Sequence, residues 1–138
     1  MNNPFIHLRS LSSYSLSEST LKITNLVDLA KKNDMPAIAI TDNNNMFGVF
    51  EFSKECVKNN IQPIIGTSIN LLDIIVNNQI SQVTFLVKNE IGYRNLLELS
   101  SISHLNEGNN VGIYFSQLEK FSEGLFCYIC LLYTSPSP

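Results

Sequence analysis

An α/β fold with parallel strands is what this sequence predicts, and three observations predict it. Short apolar runs, too brief for helices, alternate with segments whose apolar residues recur at helical spacing. The links between them are short, which favours right-handed βαβ crossovers. One run, PAIAIT, suits a strand buried on both faces, as in a sheet covered by helices. An open α/β sheet and a barrel of the TIM kind both fit the β-α-β-α-β order, and three such units cannot close a barrel.

The elements follow in order. Phe5, Ile6 and Leu8 suggest a short first strand, and SLSSYSLSES after it reads as a Ser-rich turn. Ile23, Leu26, Val27 and Ala30 fall at i, i+3, i+4 and i+7, one face of a helix. That helix should stop near Asn33, which tolerates the left-handed conformation, because Pro36 pushes Met35 toward an extended form. PAIAIT is then a strand and DNNNMFG a loop. A second helix fits from about residue 47 to residue 58, with Val49, Phe52, Cys56 and Val57 on its apolar side. IQPIIGTSINL gives another strand, with Pro63 near its start, where a missing N–H is tolerated. Residues 69–87 read as a hairpin, INLLDIIV and QVTFLV around a polar NNQ turn. Asn89 can cap the helix EIGYRNLLELSS, and GLFCYICLLY reads as a further apolar strand.

Composition narrows the function. The 138 residues are 44% hydrophobic and 15% charged, which fits one globular domain or a piece of one. A formal net charge of −3 gives this segment no electrostatic means of gripping a phosphate backbone, so any nucleic-acid role has to come through a larger molecule. MNNPFIHLRS lacks the basic and apolar regions of a signal peptide, and no apolar run approaches the roughly 18 residues of a membrane span. A cytoplasmic setting without membrane contact is expected. Cys56, Cys127 and Cys130 are too few and too uneven for a disulfide framework. The C-x-x-C of Cys127 and Cys130 would need two more ligands to hold zinc, or a helix start after its first cysteine to act in redox. Neither is visible, so it reads as part of a strand.

In such folds the C-terminal ends of the strands carry the chemistry. That places His7 and Arg9, Asp42 and Asn43, and Ser68 at the candidate site. Here the residues carry a resemblance. FIHLRSLSSYS, MPAIAITDNNNMFGVFEF, IQPIIGTSI and VKNEIGYRNLLELSS resemble, in that order and spacing, four blocks of the polymerase-and-histidinol-phosphatase (PHP) domain found at the N-terminus of bacterial DNA polymerase III alpha subunits. The Asn-Glu-x-Gly-Tyr-x-Asn-Leu block favours the polymerase branch over stand-alone phosphatases. The resemblance implies a distorted, TIM-like (βα) barrel, of which residues 1–130 would be the first, incomplete part.

The resemblance also implies a metal site, because active members hold a small metal cluster with His, Asp and Glu and hydrolyse phosphoesters. Imidazole and carboxylate bind divalent transition metals, which activate water. This sequence breaks that pattern. The first motif, His-x-His with a further His in many members, reads His7, Arg9 and Leu11. Thr-Asp-His has become Thr41, Asp42 and Asn43, and the acidic residue expected after the Ile-Gly turn is Ser68. Arg9 is a permanent cation without an acceptor, and Leu11 has no ligand atom. The site therefore reads as vestigial, with no catalytic residue and no cofactor in this chain, and with Arg9 pairing Asp42 in place of a metal. The alternative is a module that still binds metal and acts as a phosphoesterase or 3′–5′ exonuclease, using His7 and Asp42, the two ligands left from this set, with further ligands beyond this segment. A free-standing PHP phosphatase acting on a small metabolite is a third reading.

The plainer readings are these. His7 is a hydrogen-bonded structural residue, and His104 lies solvated in a polar stretch after the third helix. Asn43, Asn44 and Asn45 form a tight loop, since Asn accepts left-handed geometry. Phe47, Phe50 and Phe52 are packing residues, because few basic partners surround them for stacking on bases. Residues 131–138 form a Ser/Pro tail that resembles translated adapter read-through and is expected not to be native sequence. The resemblance implies that the whole protein extends DNA on a template, with magnesium held by carboxylates in a palm domain. This segment would be a scaffold contacting that palm domain and a proofreading subunit, reaching DNA only through the parent protein.

Overall fold

The computed structural model describes residues 22–106 and 111–130. The first strand proposed at Phe5–Leu8, and with it His7 and Arg9, lies outside the described residues, as does the tail at 131–138.

Helix α1 (Ile23–Lys32) buries Ile23, Leu26, Val27 and Ala30, the four residues that its spacing selects. Asn33 ends it, but with φ −97°, and the left-handed position falls one residue later, at Asp34 (φ 53°). The reason is the way the last turn closes. Asp34 N–H donates to the Lys31 carbonyl and Met35 N–H to Ala30, so the left-handed residue must follow the cap. Helix α2 (Val49–Lys58) closes identically, with Asn60 left-handed and the Ile61 N–H donating to the Cys56 carbonyl. In both cases the next apolar residue, Met35 or Ile61, tucks against the core beneath.

Strand β1 (Ala37–Asn43) is buried along nearly its whole length, as expected for a strand covered on both faces. It runs further than the sequence suggests. Asp42 and Asn43, expected in the loop, pair in register with Thr67 and Ser68, so the loop begins at Asn44. Helix α2 starts later than expected, and its stripe is Val49, Phe52 and Cys56. Val57, also expected on the apolar side, is 68% exposed because it lies past the edge of that stripe.

The largest departure is in the sheet. The strand expected at IQPIIGTSINL and the first arm of the hairpin are one strand, β2 (Gln62–Val76), which runs through Gly66, Asn70 and Asp73 without a turn. Pro63 is its second residue, ahead of the point where pairing with β3 (Gln79–Val87) begins at Gly66 and Leu86. Asn77 and Asn78 make the turn with φ 53° and 64°, the geometry that two-residue hairpins require. The four strands lie in the order β1-β2-β3-β4, with β4 at Leu125–Cys130. Among these four described strands β1 and β2 pair in parallel, whereas β2–β3 and β3–β4 are antiparallel. Among the described strands the expectation of parallel pairing therefore holds for the crossover from β1 to β2, whereas the turn between β2 and β3 is too short for anything but antiparallel pairing. Where β1 ends, the same edge of β2 is taken up by a second segment. Leu72 N–H donates to the Ile113 carbonyl at 2.8 Å and Ile113 N–H to the Asn70 carbonyl at 2.9 Å.

Two apolar clusters lie against the same face of the sheet, since register aligns Ile38 and Ile40 of the first with Ile69, Val83 and Phe85 of the second. One joins α1 and α2 to β1 through Val27, Ile38, Ile40, Phe52 and Cys56. The other joins α3 (Glu90–Leu105) to β2, β3 and β4 through Ile69, Phe85, Leu96, Leu99 and Leu125. Met46, on the loop after β1, touches both. Asn89 caps α3 as expected, its side-chain oxygen accepting from Gly92 N–H at 2.9 Å. The rest of that block holds the turn before β4. Gly92 abuts Gly124, Asn95 donates to the Glu123 carbonyl at 2.8 Å, and Lys88 N–H donates to Gly124 at 2.9 Å. A short helix α4 (Phe115–Lys120) precedes that turn. Among the described residues no helix is long and apolar enough to cross a membrane.

Candidate functional site

The end of β1 gathers the described site residues, but not all on one side. Register places Asn43 beside Ser68, and Ser68 opposite Thr84. Because side chains alternate along a strand, Asn43, Ser68, Thr84 and Gln82 share one face of the sheet. Asp42 falls on the other, with Ile38 and Ile40 toward α1 and α2. Ser68, expected at the end of its strand, lies in the interior of β2, which continues to Val76.

Each residue on the first face is held by a neighbour. The hydroxyls of Ser68 and Thr84 lie 2.8 Å apart, both fully buried. Gln82 Nε2 donates to Asn43 Oδ1 at 3.3 Å. On the opposite side Asp42 is only 2% exposed. Its backbone carbonyl is 2.6 Å from the Thr67 hydroxyl, which is also 3.0 Å from the Asn45 carbonyl. One hydroxyl proton thus serves two acceptors and fastens the loop to β2.

The asparagine run is a tight turn, as expected. Asn44 has φ 56°, and its N–H donates to the Ser68 carbonyl at 2.7 Å. Asn45 donates through Nδ2 to the Asn43 carbonyl at 3.0 Å and accepts from Phe47 N–H at 3.2 Å. The Asn44 carbonyl is 2.7 Å from His104 Nε2, so that nitrogen carries the proton. His104, expected in a polar stretch after the third helix, lies instead in the last turn of α3. That helix continues past Ser101 to Leu105, and within it the Ser103 hydroxyl donates back to the Ser100 carbonyl at 2.6 Å. Exposed though it is, His104 fixes the loop.

The three phenylalanines separate. Phe52 is fully buried, but Phe47 and Phe50, also expected to pack, are 73% and 80% exposed. Phe47 precedes α2 and Phe50 falls off its buried stripe, so neither faces the core.

Neither described thiol is an activated nucleophile. Burial, reinforced by Glu55, pushes the Cys56 thiol up to about 11. Partial desolvation also raises Cys127, an exposed residue, against a smaller opposing pull from Lys88. The C-x-x-C lies within β4, where neither a redox helix nor a zinc knuckle forms.

The metal that the resemblance implies does not fit the described donors. Among the described residues no three His, Cys, Asp or Glu side chains come together to hold an ion. The ligand positions offer a neutral amide and a neutral hydroxyl, both already in hydrogen bonds, and Asp42 on the opposite face. Divalent transition metals prefer imidazole, thiolate or carboxylate. His7, Arg9 and the proposed Arg9–Asp42 pair lie outside the described residues. Sequence reasoning missed Thr67, Gln82, Thr84 and His104. For Gln82 and Thr84 a signal existed, since both are polar at alternate positions within the apolar run QVTFLV.

Comparison with known proteins supplies the context. The PHP domain family matches residues 7–135. The DNA polymerase III subunit alpha of Rickettsia prowazekii is 41% identical over 132 residues, covering 94% of this chain and 11% of that protein. The subunit of the same description from Borreliella burgdorferi is 39% identical over 137 residues, covering 89% of this chain and 12% of that one. The chain therefore spans little more than a tenth of the length of these relatives. Among solved structures, an amidohydrolase from Chromobacterium violaceum, with bound sulfate and no metal, aligns with a TM-score of 0.54. At 16% identity over 75% of this chain and 34% of that one, the likeness is one of fold.

Proposed function

The chain belongs to the PHP domain family, and from that premise we propose that it is the N-terminal PHP module of a bacterial replicative polymerase of the DNA polymerase III alpha type, serving as a scaffold. The observation that carries this reading is the 41% identity over 94% of the chain to a protein of which it covers 11%. A module of that size has its counterpart in one portion of a long chain. Template-directed DNA synthesis, with magnesium in a palm domain, belongs to the rest of that chain. The palm domain and a proofreading exonuclease subunit are the partners that follow, and the cytoplasm is the setting.

The scaffold part of the proposal rests on the donor set. Neutral Asn43 and Ser68 stand where the family's metal-binding pattern has His and an acidic residue, and Arg9 stands in place of a further His. In this proposal Arg9 lies beside Asp42 and supplies the positive charge that lets a carboxylate remain buried. Arg9→Ala in the polymerase chain is then expected to destabilise this module by about 3 kcal/mol, because it strands a buried charge. Denaturant unfolding measures it, and a loss under about 0.5 kcal/mol would leave no place for the pair.

The function itself is tested by elemental analysis of the intact polymerase chain, with phosphoesterase and 3′-exonuclease assays in manganese and zinc. No metal bound at this module and no hydrolysis from it is the expected result. Stoichiometric metal here, with hydrolysis abolished by Asp42→Asn, would replace the scaffold by the active phosphoesterase or exonuclease. Loss of primed-template DNA synthesis on removing the module, with other parts still folded, is expected of a scaffold.

A further inference from the structure

We infer that Gln82 and Thr84, with Asn43 and Ser68, form a side-chain staple that ties β1, β2 and β3 together where the family holds metal, so that this end of the sheet stays closed without an ion. The inference rests on the PHP reading above and extends it to two residues outside the family's motif positions.

The geometry is specific. Gln82 is not a neighbour of Asn43 in the sheet, since Gln82 pairs with Asn70, Asn43 pairs with Ser68, and β2 lies between them. To reach Asn43 Oδ1 at 3.3 Å, the Gln82 side chain passes over β2 on the face that Ser68 occupies. Beside that crossing, Ser68 and Thr84 join β2 to β3 at 2.8 Å. Both residues have zero exposure, so each hydroxyl relies on the other in place of solvent. Three strands are thus linked by side chains in addition to their backbone ladders. A metal ion at the same place would make the same connection through charged ligands. The described residues make it through neutral groups that have no proton to lose near neutral pH.

The staple predicts which backbone amides depend on which side chains. Hydrogen exchange on the intact polymerase chain reads this locally. Ser68→Ala and Thr84→Val are near-isosteric, and each is expected to speed exchange of amides in residues 66–70 and 82–86 by about five- to tenfold, the effect of one orphaned buried hydroxyl. The double variant is expected to exchange no faster than either single one, because neither hydroxyl is then stranded. Gln82→Met keeps the length and removes the donor, and is expected to speed exchange in residues 43–45. Adding EDTA, or zinc or manganese, is expected to leave exchange of the parent chain in all these segments unchanged. Strictly additive effects of Ser68→Ala and Thr84→Val, no effect of Gln82→Met, or loosening by EDTA would each overturn the staple. Primed-template synthesis by the unaltered chain tests the polymerase reading separately, since a staple can hold whether or not the chain makes DNA.

Discussion

Gly92→Ala is expected to destabilise the domain by about 3 kcal/mol, near the upper end of what one added methyl group does to a packed interior. The methyl would not meet a side chain that could swing away. It would collide with the carbonyl oxygen and carbon of Gly124 and come within 3.1 Å of its Cα, all backbone. Gly124 cannot retreat cheaply. Its φ of +78° is reserved for glycine, its carbonyl accepts from Lys88 N–H, and Asn95 holds the adjoining Glu123 carbonyl. Relief would require α3 to lift, and α3 carries Leu96 and Leu99 into the second cluster. Denaturant unfolding of the polymerase chain, followed by a probe in this module, measures the effect. A change below about 1 kcal/mol would show that the helix and turn do not touch as described.

Phe52→Ala is expected to cost about 3–5 kcal/mol, whereas Phe47→Ala and Phe50→Ala should each fall within about 0.5 kcal/mol of the parent. Phe52 has zero exposure in the cluster formed by α1, α2 and β1, so truncating it removes the transfer free energy and leaves a cavity. Phe47 and Phe50 already keep most of their surface in water. Equal losses at all three positions, in the same unfolding experiment, would mean that Phe47 and Phe50 pack against something in the polymerase chain. Loss at Phe52 alone fits the helix as placed.

Features set by local periodicity and residue type are legible in the amino-acid sequence, and features set by distant partners are not. The buried face of α1 is legible because its four apolar residues obey one period, and β1 because nothing polar interrupts PAIAI. The cap at Asn89 is legible from residue type and place. The split of Phe50 from Phe52 is legible in the helical spacing, which puts Val49, Phe52 and Cys56 but not Phe50 on one face, whereas that of Phe47 is not, because the helix begins only after Gly48 and leaves Phe47 outside it. The single long β2 is hidden because Gly and polar residues within it resemble breaks between elements. The candidate site is half legible. Asn43 and Ser68 are brought together as neighbours, but the pleat that sends Asp42 to the opposite face follows from a strand end that sequence could not fix. His104 is out of reach, because its bond to Asn44 joins residues far apart along the chain.

The long strand β2 has a consequence in time as well as space. The segments that complete the sheet around it differ in how soon they can arrive. The β3 partner is one two-residue turn away, β1 waits for a helical crossover, and the segment at Ile113 and the strand β4 wait for α3 to be laid down. Hairpins close in roughly 1–10 μs, while distant segments first lose loop-closure entropy. The β2–β3 hairpin is therefore expected to form early and open last, with amides at Thr67 and Ile69 outlasting those of Phe126 and Tyr128 in hydrogen exchange. The reverse order would make the parallel crossover the seed. In the expected order, the strand that organises the sheet is also its clock, and the residues of the candidate site acquire their places only when β1 docks onto an edge that is already waiting.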